Sequence, residues 1–247
     1  MVRTNFYSQK THHYDGIILR LRKGYSRQLS LTIFTRQAGL LPFLVPKGKK
    51  GYNQGFGSLV ELSVVTFEGY ERQGSHFITE YESHGSSLLA DLSWDRYVYT
   101  QVFTEMVLAL VPPEAPDDST YNLILRYIEA IAARNVRVAT IIAGWQLTAC
   151  AGFQPDTETV RVYRYPGEAP DGQIRYYFSD HDEENMPPVP VSEPVRRLWQ
   201  ALIDYDWQHA APMQLPRKDL ALLDQLLYSY VEDVSGKDLK CRKALLD

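Results

Sequence analysis

The chain has 247 residues, 45% of them hydrophobic and 23% charged, with 17 tyrosines and a net charge of −4. This composition belongs to a folded protein with enough apolar material for a real core, and no run approaches the roughly 18–20 apolar residues of a membrane span. The only cysteines, Cys150 and Cys241, exclude a disulfide framework and a thiolate zinc ribbon, and Met1 to Lys10 lack the apolar run of a signal peptide, which places the chain in the cytoplasm.

In the first third, apolar and polar residues alternate with period two between glycines, the pattern of half-buried strands. Tyr14 to Arg22 puts Ile17, Leu19 and Leu21 on one face, with Ile18, Arg20 and Arg22 on the other. Gln28 to Thr35 turns Leu29, Leu31 and Ile33 inward, and Gly39 leads into a third strand over Leu40 to Lys47. Leu59 to Glu68 and His76 to Ser83 complete the set, with Gly69 and Gly74 bracketing the turn between them. Five short strands in this length fit a small barrel of the OB type, since closure removes sheet edges.

Near Ser86 the period changes to 3.6. Helices are predicted from a Ser93 cap to Leu110, where Pro112 and Pro113 follow, from Asp118 to Arg134, and from Val136 to Ala151 with Gly152 as the C-terminal cap. Thr159 to Tyr165 and Gln173 to Ser179 read as a hairpin, and Asp180 to Pro190 as an acidic, proline-rich loop. Two helices close the chain, Glu193 to Trp207 after Ser192, and Pro216 to Val234 before Gly236. The fold class is therefore α+β and multi-domain: a five-stranded OB-fold barrel over 1–85, a helical domain over 86–155 and 191–247, and a hairpin with acidic loop over 156–190.

The sign of charge is unevenly placed. Met1 to Ser58 hold ten Lys and Arg against one acid, Asp15, a local charge of +9 that leaves −13 on the rest. A basic head suits a polyanion, although a solubilising surface gives the same count. Within it, Val45-Pro46-Lys47-Gly48-Lys49-Lys50-Gly51-Tyr52 spaces lysines with glycine, leaving backbone amides free to approach phosphates, and Phe43, Tyr52 and Phe56 are aromatic candidates for base stacking. The alternative is a surface loop that binds nothing. The nearby Arg20, Arg22, Lys23, Arg27 and Arg36 tip the balance toward nucleic acid.

Two clusters invite a metal: His76, Glu80, Glu82 and His84 along one strand, and Asp180, His181, Asp182, Glu183 and Glu184. Neither has the helix-borne spacing of zinc motifs, and an exposed strand face and a solvated loop account for them. No nucleophile elbow and no phosphate-binding loop is present, so the chain is read as a non-enzyme without metal or cofactor. The tryptophans Trp94, Trp145, Trp199 and Trp207 all fall in the helical part, as core or groove-lining residues.

The order of features resembles the RecO family. The resemblance rests on Tyr14-Asp15-Gly16-Ile17-Ile18-Leu19-Arg20, on Leu31 to Leu40 followed by Lys47-Gly48, on Gly152-Phe153-Gln154-Pro155-Asp156, and on the tail Leu226 to Glu232 with Gly236-Lys237-Asp238-Leu239-Lys240 and Arg242-Lys243. It implies an OB-fold that binds single-stranded and duplex DNA and a helical domain. It also implies a mediator of DNA repair and recombination that anneals complementary strands, binds the acidic tail of the single-strand-binding protein and, with RecR, assists RecA loading in the cytoplasm at the nucleoid. Many members carry a cysteine zinc module where this chain has Asp156 to Asp182 without cysteine. By this resemblance Arg20, Arg22, Lys23, Arg27, Arg36, Lys47, Lys49 and Lys50 contact the DNA backbone, Phe43 and Tyr52 stack bases, and Arg126 and Arg137 receive the partner tail. The rival readings are an OB-fold protein adaptor that does not bind DNA and a metal-dependent hydrolase.

Overall fold

A computed structural model describes residues 10–23, 29–45, 59–86, 93–166, 174–183, 186–209 and 215–245. The chain divides into two compact units, residues 1–90 with 112–121, and residues 91–111 with 122–247.

The first unit is built from β1 (His12–Lys23), β2 (Leu29–Thr35), β3 (Gly39–Val45), β4 (Val64–Arg72) and β5 (Ser75–Ser83). They close in the order β1-β2-β3-β5-β4, β1 pairing with β4 to complete the ring. Every pair is antiparallel except β3 with β5. This is the five-stranded OB-fold barrel, and the expected fold class holds. Ile18, Leu29, Leu31, Ile33, Leu41, Phe43, Val45, Val65, Phe67 and Ile78 fill its interior. Phe43 and Phe67 meet edge to face at 4.8 Å, and Tyr14 stacks on Phe67 at 5.2 Å. Burying each large side chain contributes roughly 1.5–3 kcal/mol.

Bulges make two corrections to the expected faces. On β1, Gly16 pairs with Thr35 and Ile18 with Ile33, but the next pair is Arg20 with Thr32. Leu19 is the extra residue, so alternation reverses there: Ile18 points inward before it and Leu21 after it. Ile17, Leu19 and Leu21 therefore do not share one face, whereas Arg20 and Arg22, both beyond the bulge, remain together outside the barrel. On β5, Glu68 pairs with Glu80 but Gly69 with Ile78, so Thr79 is the extra residue. His76 then lies on the opposite face from Glu80 and Glu82, and the supposed four-residue metal row is broken.

β4 starts at Val64 rather than Leu59, because the chain turns through Leu62 at φ 58°. Gly69 lies inside β4, and the hairpin turn is Gln73-Gly74, with φ 53° and 73°. Residues 112–121 belong with the barrel. Glu114 N donates to Leu40 O at 3.2 Å, and the Phe34 and Tyr121 rings lie 6.3 Å apart.

The second unit holds α1 (Trp94–Leu110), most of α2 (Asp118–Ala133), α3 (Val136–Cys150), β6 (Arg161–Arg164), β7 (Tyr176–Ser179), α4 (Glu193–Ile203) and α5 (Arg217–Ser235), followed by a 3₁₀ turn over Lys240–Leu245. α3 is buried along most of its length. Gly144 lets it approach closely, since a Cβ there would fall 2.5 Å from Leu227 on α5 and 3.1 Å from Met106 on α1. Trp145 packs on Trp199 at 4.7 Å. Asn135 caps α3 through Val138 N, and α3 and α5 are followed by Gly152 and Gly236 with φ of 81° and 64°. α4 stops at Ile203, four residues before the expected end. Gln146 on α3 accounts for the early stop: its amide donates to Ile203 O and Tyr205 O, and its Oε1 accepts Trp207 Nε1, holding the chain off the helical path.

Candidate nucleic-acid interface

Three of the basic residues singled out in the sequence come together. Arg20, Arg22 and Lys23 occupy the end of β1, with Arg22 and Lys23 exposed. None has an ion pair among the described residues. Their register partners on β2, Thr32, Ser30 and Leu29, bring no carboxylate to the face.

Arg36 stands apart from them. Its amide bonds Asp15 O, at the other end of the β1–β2 ladder, about 17–26 Å along the strand from the β1 cations at ~3.3 Å per residue. Its guanidinium pairs with Asp118 at 3.2 Å and lies 4.6 Å over the Tyr121 ring. Phe43 is a further correction. It is fully buried between Tyr14, Phe67 and the rest of the barrel core, so no base can reach its ring. The sequence could not separate it from an outward aromatic, because β3 is apolar at both parities, with Leu40, Leu41, Phe43, Leu44 and Val45 in succession. Arg27, Lys47, Lys49, Lys50 and Tyr52 lie outside the described residues.

Outside the barrel, one register row carries Arg22, Ser30, Leu44, Phe77 and Tyr70 across successive strands. The Tyr70 and Phe77 rings stack at 5.3 Å with 16° between planes. The sequence reading passed over this pair, since it placed Tyr70 in a turn. The same β4–β5 seam is acidic beside this pair: Glu68, Glu80 and Glu82 face outward on β4 and β5, with His13 Nδ1 3.0 Å from Glu68 and His84 Nε2 3.2 Å from Thr66. Among the described residues no group of three or more His, Cys, Asp or Glu is placed to hold a metal ion.

In the helical unit, Arg126 is exposed on α2 and lines an open recess of about 520 Å³ with Leu125, Arg134 and Trp207, and with one acid, Glu129, against the two arginines. Arg134 bonds the Tyr205 hydroxyl and lies 5.8 Å and 5.9 Å over the Tyr205 and Trp207 rings. A smaller recess of about 190 Å³ adjoins it at Arg134 and Trp207, with Val138, Ile142 and Leu215 as apolar walls. Cations on an aromatic and apolar floor suit an acidic chain that also carries a hydrophobic side chain. Arg137 is engaged elsewhere, its Nε 2.9 Å from Asp224, a carboxylate with 8% of its side chain exposed. Burial pushes the Asp224 carboxyl above its ordinary value, against the pull of Tyr228 and Arg137. Arg137 therefore neutralises an internal acid.

The described part of the segment that stands where the resemblance places the family's zinc module is held by side-chain packing. Tyr163 and Tyr177 stack at 5.3 Å across the β6–β7 pair, Phe178 meets Tyr230 at 4.7 Å, and the Tyr163 hydroxyl donates to His181 O. The tail motif is likewise structural. Lys237 Nζ donates to the carbonyls of Leu108 and Ala109 near the end of α1, and Arg242 to Glu232 and to Ile174 O.

The family model described as Recombination protein O C terminal matches residues 92–243. The chain belongs to the recombination protein O family. Its similar proteins include the DNA repair protein RecO of Gloeobacter violaceus (strain ATCC 29082 / PCC 7421), 28% identical over 165 residues, 64% of this chain and 62% of that protein. The DNA repair protein RecO of Koribacter versatilis (strain Ellin345) is 24% identical over 144 residues, 58% of this chain and 59% of that protein. The chain thus spans about three fifths of the length of these curated relatives. The matched region contains the Arg126 recess and the tail motif of the family, whereas the β1 cations precede it. No helix among the described residues is long and apolar enough to cross a membrane.

Proposed function

We propose that this recombination protein O family member is a non-catalytic mediator of DNA repair and recombination that binds single-stranded DNA, and duplex DNA through the same backbone charges. Family membership carries this reading. The OB barrel supports it by presenting Arg20, Arg22 and Lys23 on one strand end with no acid across the ladder. Arg27, Lys47, Lys49 and Lys50 are further backbone contacts and Tyr52 a further stacking ring in this reading, on the strength of the sequence alone. Arg36 serves at a distance from them. Phosphate neutralisation by such side chains gives affinity without base specificity and brings complementary strands together for annealing.

The Arg126–Arg134–Trp207 recess is the proposed seat of the acidic, hydrophobic tail of a single-strand-binding protein, and RecR is a further partner in recombinase loading. No cofactor or metal is required. The protein works in the cytoplasm, at the nucleoid.

Anisotropy titration of a labelled single strand at several salt concentrations tests the reading. The expected result is binding that weakens steeply with salt. Replacing Arg20, Arg22 and Lys23 by alanine lowers the slope of log K against log salt by about 2, at roughly 0.7 per phosphate contact. Absence of binding at low salt would overturn the DNA reading and favour the protein-adaptor alternative, for which the recess is the supporting feature.

A further inference from the structure

The outward rows of β1, β4 and β5 set like charges against one another. Glu68 on β4 is the register partner of Glu80 on β5, and the adjoining outward row carries Asp15, Thr66 and Glu82. Carboxylates directly across a ladder destabilise it, so a face that keeps them answers to a demand other than folding. Within the barrel only part of this charge is met: His13 Nδ1 lies 3.0 Å from Glu68, and Gln37 donates to Asp15. Glu80 and Glu82 are exposed and have no ion pair among the described residues.

The row on the other side of Glu68 and Glu80 is aromatic. Tyr70 and Phe77 are register partners with nearly parallel rings 5.3 Å apart, and both are half-buried. Ring faces are the negative part of an aromatic quadrupole and attract guanidinium and ammonium groups. Arg72, the one Lys or Arg of β4 and β5, stands at the hairpin end, four residues and about 13 Å from Glu68 at ~3.3 Å per residue. Carboxylates and rings thus call for the same thing, positive charge from outside the barrel. They extend from Thr66 to Tyr70 along β4, about 13 Å, too far for one small cation to bridge.

We propose that the outer face of β4 and β5 docks a basic, extended segment of a partner protein. Its Arg or Lys side chains pair with Glu68, Glu80 and Glu82 and lie against the Tyr70 and Phe77 rings. Side chains at alternate positions of an extended segment recur about every 6.6 Å, the spacing of the outward rows. A nucleic acid is repelled here by the same carboxylates. None of these residues is among the proposed DNA contacts, so loss of this surface and loss of DNA binding are separable.

The test is an anisotropy titration of the whole chain with a fluorescein-labelled nonapeptide carrying arginine at alternate positions and threonine between. Wild-type protein is expected to bind it at least tenfold more tightly than the same peptide with glutamine for arginine, and less tightly as salt rises. Glu68→Gln with Glu80→Gln should weaken binding about fivefold, and Tyr70→Leu with Phe77→Leu about two- to fivefold. Glu183→Gln, an exposed acid of the other unit, should leave it unchanged. Glu80→Gln alone should not lower the thermal midpoint, since it removes a repulsion. A peptide with a central benzophenone, photocrosslinked to wild-type protein and mapped, is expected to mark β4 or β5 however the variants fold.

Equal affinity for the arginine and glutamine peptides would overturn the proposal. So would site variants that lose no more than Glu183→Gln, adducts confined to other elements, or a lowered midpoint for Glu80→Gln. Spermine binding as tightly as the arginine peptide, with neither affected by Tyr70→Leu and Phe77→Leu, would reduce the face to a collector of small cations and overturn it as well.

Discussion

Loss of the Arg242 side chain is predicted to weaken the helical unit strongly. It has 6% of its side chain exposed and pairs at 2.8 Å with Glu232, itself 11% exposed. It also donates to Ile174 O at 3.0 Å and approaches Ser229 Oγ at 3.5 Å, while the second Glu232 oxygen accepts Leu239 N at 3.0 Å. Arg242→Met keeps an apolar stem but leaves the Glu232 carboxylate buried without its counter-charge. Breaking a buried pair in this way costs about 3–5 kcal/mol, roughly a fifth or more of the ~5–15 kcal/mol that holds a typical domain. Urea unfolding should show a lowered midpoint with an unchanged slope. Because the damage is the orphaned charge, adding Glu232→Gln to Arg242→Met should cost less than the sum of the two single changes, by about 0.5–3 kcal/mol. A loss below ~1 kcal/mol for Arg242→Met, or strict additivity in the double variant, would refute the view that the tail motif is a clamp.

Gly39→Ala should destabilise the barrel unit by several kcal/mol in thermal unfolding, since Gly39 has φ 71° and an added Cβ would fall 2.5 Å from the Ala115 backbone. The raised carboxyl of Asp224 makes its ionisation a burden on the folded state. Its stabilising contribution is complete below the ordinary value of 3.8 and is lost as pH rises through the folded value, so the stability of Asp224→Asn relative to wild type should increase with pH above about 4. Denaturant titrations at a series of pH values read this directly, and parallel curves for the two proteins would count against it. Arg126→Ala with Arg134→Ala should weaken an acidic peptide ending in an aromatic residue by roughly tenfold in calorimetric titration, with Arg197→Ala as a neutral control, because Arg197 lies outside the recess and pairs with the exposed Glu193.

The barrel was legible because its strands alternate. Leu29, Leu31 and Ile33 announce an inward face, and five such segments admit few closures. Helix boundaries were legible where a glycine marks them, at Gly152 and Gly236, and failed at α4, whose end is set by Gln146 some sixty residues earlier in the chain. The candidate site was harder to read for a different reason. Period-two reasoning assigns a face by counting, and one extra residue inverts every later assignment. The bulge at Leu19 left Arg20 and Arg22 on a common face only because both lie beyond it, whereas the bulge at Thr79 separated His76 from Glu80 and hid the outward parity of Phe77. In the same barrel, Phe43 and Phe77 look alike in sequence, each an aromatic beside a basic or imidazole-bearing neighbourhood. Their opposite fates follow from register: Phe43 pairs with Leu31 inside, and Phe77 pairs with Leu44 and Tyr70 outside. Charge located a basic strand end, whereas which rings lie outside the barrel depended on a bulge that leaves no compositional trace.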